Sequence, residues 1–136
     1  EAHGHLAKIQ DGALKQAKLR SAVRTTHGGV MRDLGRYNEA LKFADEAHRL
    51  LPNSFRPCTL LGALNIEMGN FALGHEWYSK AEERGAKAGS IESEIRSLLG
   101  RMPQEKRASV IGQLLSIDPV QYAWLRKKTA PKKDHR

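Results

Sequence analysis

The fold of this chain is decided by a short stretch that occurs twice, as LGRYNEA at residues 34–40 and as MGNFALG at residues 68–74. The two copies are 34 residues apart, so that Gly35 aligns with Gly69. Glycine readily adopts the left-handed backbone conformation with which many helices end. Each copy therefore predicts one helix that ends at the glycine and a second helix that begins directly after it.

The same shift of 34 residues aligns small and aromatic residues on both sides of the stretch. Gly28 aligns with Gly62, and a residue without a side chain lets the two helices of a hairpin approach closely. Pro52 is expected to end the second helix of the first hairpin. The remaining matches lie in the second helices, and they pair Tyr37 with Phe71 and Ala47 with Ala81.

This pattern resembles the tetratricopeptide repeat family, which has a period of 34 residues and small, aromatic and alanine residues at these spacings. The resemblance covers residues 21–54 and 55–88. It implies an all-α fold in which antiparallel helical hairpins stack as a short right-handed solenoid with extra flanking helices. Arg24 and Cys58 depart from the family pattern, since a tryptophan is common at these positions.

The segments on both sides of the repeats are also predicted to be helical. Residues 1–20 have apolar residues at helical spacing, and we interpret them as an N-terminal helix or as part of an upstream repeat. Residues 89–125 predict three helices that cap the repeats, with Ser90 as the first N-cap and Pro103 in the first turn of the second helix. Asp118 marks the start of the third. That helix is predicted to have an apolar stripe of Val120, Ala123 and Trp124.

Positive charge is concentrated at the end of the chain. Residues 126–136 contain six basic residues and one acidic residue, a net charge of +5 out of +8 for the whole chain. Two hypotheses remain open, a solvated and disordered tail or a tail that contacts nucleic acid or an acidic partner. The candidate nucleic-acid contacts are Arg126, Lys127, Lys128, Lys132 and Lys133.

Other features of the sequence limit the classes of protein to which the chain can belong. No run approaches about 18 apolar residues, so no membrane span is expected. Cys58 is the single cysteine, so no internal disulfide can form and a cytoplasmic location is expected. The chain begins at Glu1 rather than at methionine, and we therefore expect a fragment or a processed product.

No constellation of residues predicts catalysis, and the chain is expected not to be an enzyme. Its six histidines lack the spacing of a metal site, so neither metal nor cofactor is predicted. His27 is expected to be a hydrogen-bonded core residue, and Cys58 a packed helix thiol. Tyr78 falls at an aromatic core position of the family pattern. Trp77 is interpreted either as a packing residue or as an anchor for a partner.

The resemblance also implies a groove lined by the first helices of the two hairpins, residues 21–34 and 55–68. Lysine and asparagine, with which some family members clamp a terminal carboxylate, are absent from the matching positions. The groove would either accept a helix or extended peptide with an acidic group near its arginines, or be filled by the flanking helices. The predicted groove residues are Thr25, Gly29, Arg32, Arg56, Thr59, Ala63 and Ile66.

Three functions are consistent with these features. The first is a protein–protein interaction module, acting as an adaptor, a scaffold or the sensor part of a larger protein. The second is a nucleic-acid-associated protein that uses its basic tail. The third is a non-catalytic helical domain of a larger enzyme.

Overall fold

The computed structural model describes residues 2–129, with side chains from residue 7 to residue 126. This part of the chain is all-helical and contains no strand, which confirms the all-α prediction. Consecutive helices pack in adjacent pairs, α1 against α2 and α3 against α4. The helices are α1 Ala2–Asp33, α2 Tyr37–Leu50, α3 Phe55–Glu67, α4 Phe71–Glu83, α5 Ala88–Gly100, α6 Gln104–Ile117 and α7 Trp124–Thr129.

The two predicted glycine turns have the same hydrogen-bond pattern. Gly35 has a φ of +76°, and its N–H donates to the carbonyl of Arg32 at 2.9 Å. The next N–H, that of Arg36, donates to the carbonyl of Met31 at 2.8 Å. Gly69 has a φ of +89°, and the two bonds recur there with lengths of 3.1 and 2.7 Å. Both turns are thus Schellman ends, which use the last carbonyls of a helix and require a left-handed residue.

The predicted close approach of the helices at the aligned glycines is confirmed. A Cβ atom on Gly62 would lie 2.8 Å from the ring of Tyr78 in α4, and one on Gly28 would lie 3.3 Å from the carbonyl oxygen of Ala40 in α2. Tyr78 is fully buried, as the family pattern predicts. Contacts this close leave little space for a side chain, so the two glycines allow the helices of each hairpin to approach closely.

The predicted boundary between residues 20 and 21 does not interrupt a helix, because α1 runs without a break from Ala2 to Asp33. Ser21 joins α1 to α2, because its hydroxyl donates to the carbonyl of Ala47 at 2.9 Å. Before Ser21, every described side chain is exposed except that of Ala17, which is half-buried. The first half of α1 therefore extends beyond the hairpin.

The capping region has three helices, but their starts differ from the prediction. Ser90 lies inside α5, which begins at Ala88 with Lys87 at the N-cap. Pro103 occupies the N-cap of α6 rather than its first turn. A serine is a good cap only where the chain enters the helix, and here the chain enters α5 three residues earlier, at Lys87.

Asp118 caps a turn instead of starting the third helix. Its Oδ1 accepts the N–H groups of Val120 and Gln121 at 3.2 and 3.0 Å, and α7 begins only at Trp124. The predicted apolar stripe is wrong in register, because Val120 is 84% exposed whereas Tyr122 is buried. The turn rotates the segment, so a helical spacing counted from Asp118 does not apply.

The larger hydrophobic core joins the second hairpin to α5, α6 and α7. Side chains from all four parts are fully buried in it, including Tyr78, Ile95, Leu114 and Leu125. A smaller core joins the first hairpin to α3. In residues 2–129, no helix combines the length and the apolar character that crossing a membrane requires.

Candidate functional site

Two adjoining depressions of about 480 and 350 Å³ lie along α1, α3 and α5. They share Thr25, Phe55 and Arg56, and we call them together the α1/α3/α5 groove. Its first half lies between α1 and residues 51–56, and its second half extends to Glu94 of α5. Thr25, Gly29, Arg56 and Thr59, four of the predicted groove residues, line this surface.

The two threonines of the groove have equivalent roles in their helices. Thr25 Oγ1 donates to the carbonyl of Ser21 at 2.8 Å, and Thr59 Oγ1 donates to the carbonyl of Phe55 at 3.0 Å. Each hydroxyl proton is therefore used within its own helix, and the oxygen retains lone pairs that can accept a hydrogen bond. Short side chains at these positions leave room for a ligand to approach the backbone.

Arg56 supplies the exposed positive charge of the groove. Its guanidinium lies 5.7 Å from the ring centroid of Phe55, and it has no carboxylate partner within the described residues. Lys18 lines the first half of the groove and is also exposed. An arginine of this kind can bind a carboxylate through two parallel hydrogen bonds.

Two predicted groove residues lie instead in the core. Ala63 is fully buried, and Ile66 is 1% exposed. A Cβ atom on Gly74 of α4 would lie 2.6 Å from Ile66 Cδ1, so the Ile66 side chain packs within its own hairpin. Neither residue can contact a ligand in the groove.

Arg32 is also absent from the groove lining, because its side chain is only 11% exposed and is held by two carboxylates. Arg32 Nε donates to Glu67 Oε1, and Arg32 Nη1 lies 3.9 Å from Glu94 Oε1. Burial raises the pKa of Glu94, and the Arg32 charge only partly offsets this effect. Arg32 therefore joins α1, α3 and α5 and supports one wall of the groove.

Sequence reasoning missed the contribution of α5 to the groove. Ser90, Ile91 and Glu94 line the second half. A further shift of 34 residues from Arg56 leads to Ser90, so the repeat phase could have identified that position. Glu94 had no such signal, since the pairing with Arg32 depends on how α5 packs.

Trp77 lies on a different surface of the hairpins. Its ring lies edge-on to the imidazole of His48 with centroids 5.1 Å apart, and Lys80 Nζ lies 4.4 Å from its centroid. The tryptophan is half-buried and lines a depression of about 710 Å³ between α2 and α4. It therefore packs against neighbouring helices while part of its ring remains accessible.

The expectation for His27 is wrong, because its side chain is exposed and stacks on Phe43 with centroids 4.4 Å apart. Cys58 is fully buried, and its thiol donates to the carbonyl of Ser54 at 3.7 Å. Burial raises the pKa of the Cys58 thiol, whereas an activated nucleophile needs a lowered pKa. Within the described residues, no group of three or more histidine, cysteine or acidic side chains is arranged to hold a metal ion.

The basic tail lies largely outside the described residues. Residues 126–129 belong to α7, so the segment predicted to be disordered begins as a helix, and Arg126 is exposed. The side chains of Lys127 and Lys128, and all of Lys132 and Lys133, lie outside the described part.

Comparison of the chain with protein-family models, with curated proteins and with solved structures finds no match. The interpretation of the α1/α3/α5 groove therefore depends on its own geometry and chemistry.

Proposed function

We propose that this chain is a short tetratricopeptide-like repeat module that binds a protein segment in the α1/α3/α5 groove. The segment is an extended or helical peptide, and one of its acidic side chains pairs with Arg56. In this proposal the hairpins 21–54 and 55–88 form the repeat unit, and residues 89–125 cap it.

The observation that carries the proposal is the equivalent placement of Thr25 and Thr59 beside an unpaired Arg56. Both threonines bond back to their own helices and leave a shallow, weakly polar floor. The wall contributed by α5 is held by Arg32, whose side chain is 11% exposed, so the groove exists before a ligand arrives. A groove already formed reduces the ordering cost of binding a flexible peptide.

The proposal is tested by selecting peptides from a random display library against the full chain and measuring their affinities by fluorescence anisotropy. We expect selected peptides to contain aspartate or glutamate. Arg56→Glu should weaken binding about tenfold or more, because it replaces a charge-assisted hydrogen bond with repulsion. Thr59→Trp should abolish binding by filling the floor.

Matched controls separate the groove from the rest of the surface. Arg101→Glu makes the same charge change at another exposed arginine, and Gln113→Trp adds the same bulk at an exposed position of α6. Both controls should bind the selected peptides as the unchanged chain does. Affinities that Arg56→Glu and Thr59→Trp leave unchanged would exclude the groove as the binding site.

A further inference from the structure

The outer side of α1 has an apolar seam that the described part of the chain leaves uncovered. Its large side chains are Ile9, Leu19, Val23 and Val30, with exposed fractions of 55%, 65%, 47% and 46%. Single exposed apolar residues are ordinary on protein surfaces. Here four of them share one face of a helix, with Gly12, Gln16 and Thr26 at the seam positions between them. Exposed apolar residues grouped on one face are typical of an interaction site.

The spacing of the seam is that of a coiled-coil helix. Positions 9, 12, 16, 19, 23, 26 and 30 are separated alternately by three and four residues, which is the a/d pattern of heptads. They occupy about 100° of the circumference of α1 and extend for about 32 Å. Gly28 packs against α2 and α3 from the far side of the helix, so the seam faces away from the core of the chain.

Basic side chains flank this seam. Lys8 and Lys15 lie at the flanking positions on one side, and Arg20 lies on the other. All three are exposed, and in the described residues none has a carboxylate within ion-pair distance. Flanking charges set partner choice and orientation when helices pair along such a seam.

This charge pattern disfavours a second copy of the chain as the occupant. In a parallel pair, Lys15 of one copy would face Arg20 of the other, and in an antiparallel pair no flanking position would offer an acidic residue to either of them. A second copy would therefore bring repulsion, or no attraction, to the flanks of the seam. A partner with acidic flanks would turn each repulsive pair into an attractive one.

We propose that the outer seam of α1 docks an amphipathic helix about three heptads long, whose apolar stripe is flanked by aspartate or glutamate. This surface adjoins the α1/α3/α5 groove, because Ala22 and Gly29, at flanking positions of the seam, also line the groove.

The test uses the full chain and two synthetic helical peptides about three heptads long. Both have leucine at the a and d positions, and they have glutamate or lysine at the flanking positions. We expect the glutamate peptide to bind at least about tenfold more tightly than the lysine peptide at low salt, and the difference to shrink as salt is added. Equal affinities of the two peptides would overturn the proposal.

Two double variants locate the contact on the chain. Leu19→Gln with Val23→Gln removes apolar surface without a change of charge and should abolish binding of the glutamate peptide. Leu73→Gln with Val120→Gln makes the same changes at exposed apolar residues elsewhere and should leave binding unchanged. Circular dichroism should show the same helix content for all chains. Unchanged binding by the first variant would rule out the seam.

A charge-reversed variant tests the flanks. Lys15→Glu with Arg20→Glu should reverse the preference, so that the lysine peptide binds more tightly than the glutamate peptide. Sedimentation of the unchanged chain should show a monomer. A dimer that Leu19→Gln with Val23→Gln dissociates would mean that a second copy occupies the seam, and the proposal of an acidic partner would then be wrong.

Discussion

The guanidinium of Arg32 in α1 donates a hydrogen bond to the carboxylate of Glu67 in α3, and the side chains are only 11% and 12% exposed. The pair joins the first helices of the two hairpins where they meet α5. Glu94 contributes a second carboxylate 3.9 Å from the same guanidinium. The two acidic residues differ in burial and geometry, so neutralising each of them has a different expected result.

Glu67→Gln should lower the free energy of unfolding by roughly 2 kcal/mol. Removing one partner of a buried ion pair costs about 3–5 kcal/mol, and glutamine reduces this cost because it retains an oxygen that can accept the bond. Urea unfolding at pH 7 measures the loss. Glu83→Gln is the matched control, since the Glu83 side chain is 75% exposed and should change stability by less than about 0.5 kcal/mol. Equal effects of the two substitutions would contradict a structural role for the pair.

Glu94→Gln should instead increase stability at pH 7. Burial raises the pKa of Glu94 above its usual value of 4.5, so the folded chain binds this proton more readily than the unfolded chain. The stabilising contribution of the protonated group is complete below pH 4.5 and is lost as the pH rises through the folded pKa. Glutamine imitates the protonated form at every pH.

The gain from Glu94→Gln should therefore decrease as the pH is lowered from 7 and vanish near pH 4. Parallel urea titrations of the unchanged chain and the variant across this range measure the difference. A variant less stable than the unchanged chain at pH 7 would show that attraction to Arg32 outweighs the cost of burial.

The hairpin turns could be predicted from the sequence because their signal is local. A helix that ends in the left-handed conformation favours glycine, and Gly35 and Gly69 display this requirement directly. The continuity of α1 also had a local signal, since no helix-breaking residue lies directly before Ser21. The repeat phase suggested a boundary there, but it carries no information on whether a helix continues past it.

The groove was predictable only in part, because side-chain exposure depends on how the helices pack. Thr25 and Thr59 line the groove, whereas Ala63 and Ile66 of the same predicted set are buried. Ile66 packs against Gly74 within its own hairpin, and the repeat spacing alone does not show which side of α3 does so. The ion pairs of Arg32 need three helices and could not be inferred from spacing.

The hypothesis that residues 126–136 bind nucleic acid can be tested separately from peptide binding in the groove. We expect the full chain to retard single-stranded RNA at low salt, with an affinity that falls as salt rises and a logarithmic slope of about −3.5 for five phosphate contacts. A chain that ends at Leu125 should lose this binding. Arg56→Glu is the control and should retain it, and an absence of retardation at low salt would exclude the tail as a nucleic-acid contact.

Gly62→Ala should destabilise the chain by about 1–3 kcal/mol, which is the usual cost of overpacking a core. The added Cβ would lie 2.8 Å from the ring of Tyr78, and that ring is fully buried and cannot move without displacing its neighbours. Gly112→Ala is the matched control, because a Cβ on this glycine of α6 has no neighbouring atom within 4 Å. The control should stabilise the chain by about 0.5–1 kcal/mol, since alanine is the better helix former. Thermal and urea unfolding measure both changes. If the two substitutions stabilise the chain equally, there is space for a side chain at Gly62. The close approach of the two helices would then not explain the glycine at this position.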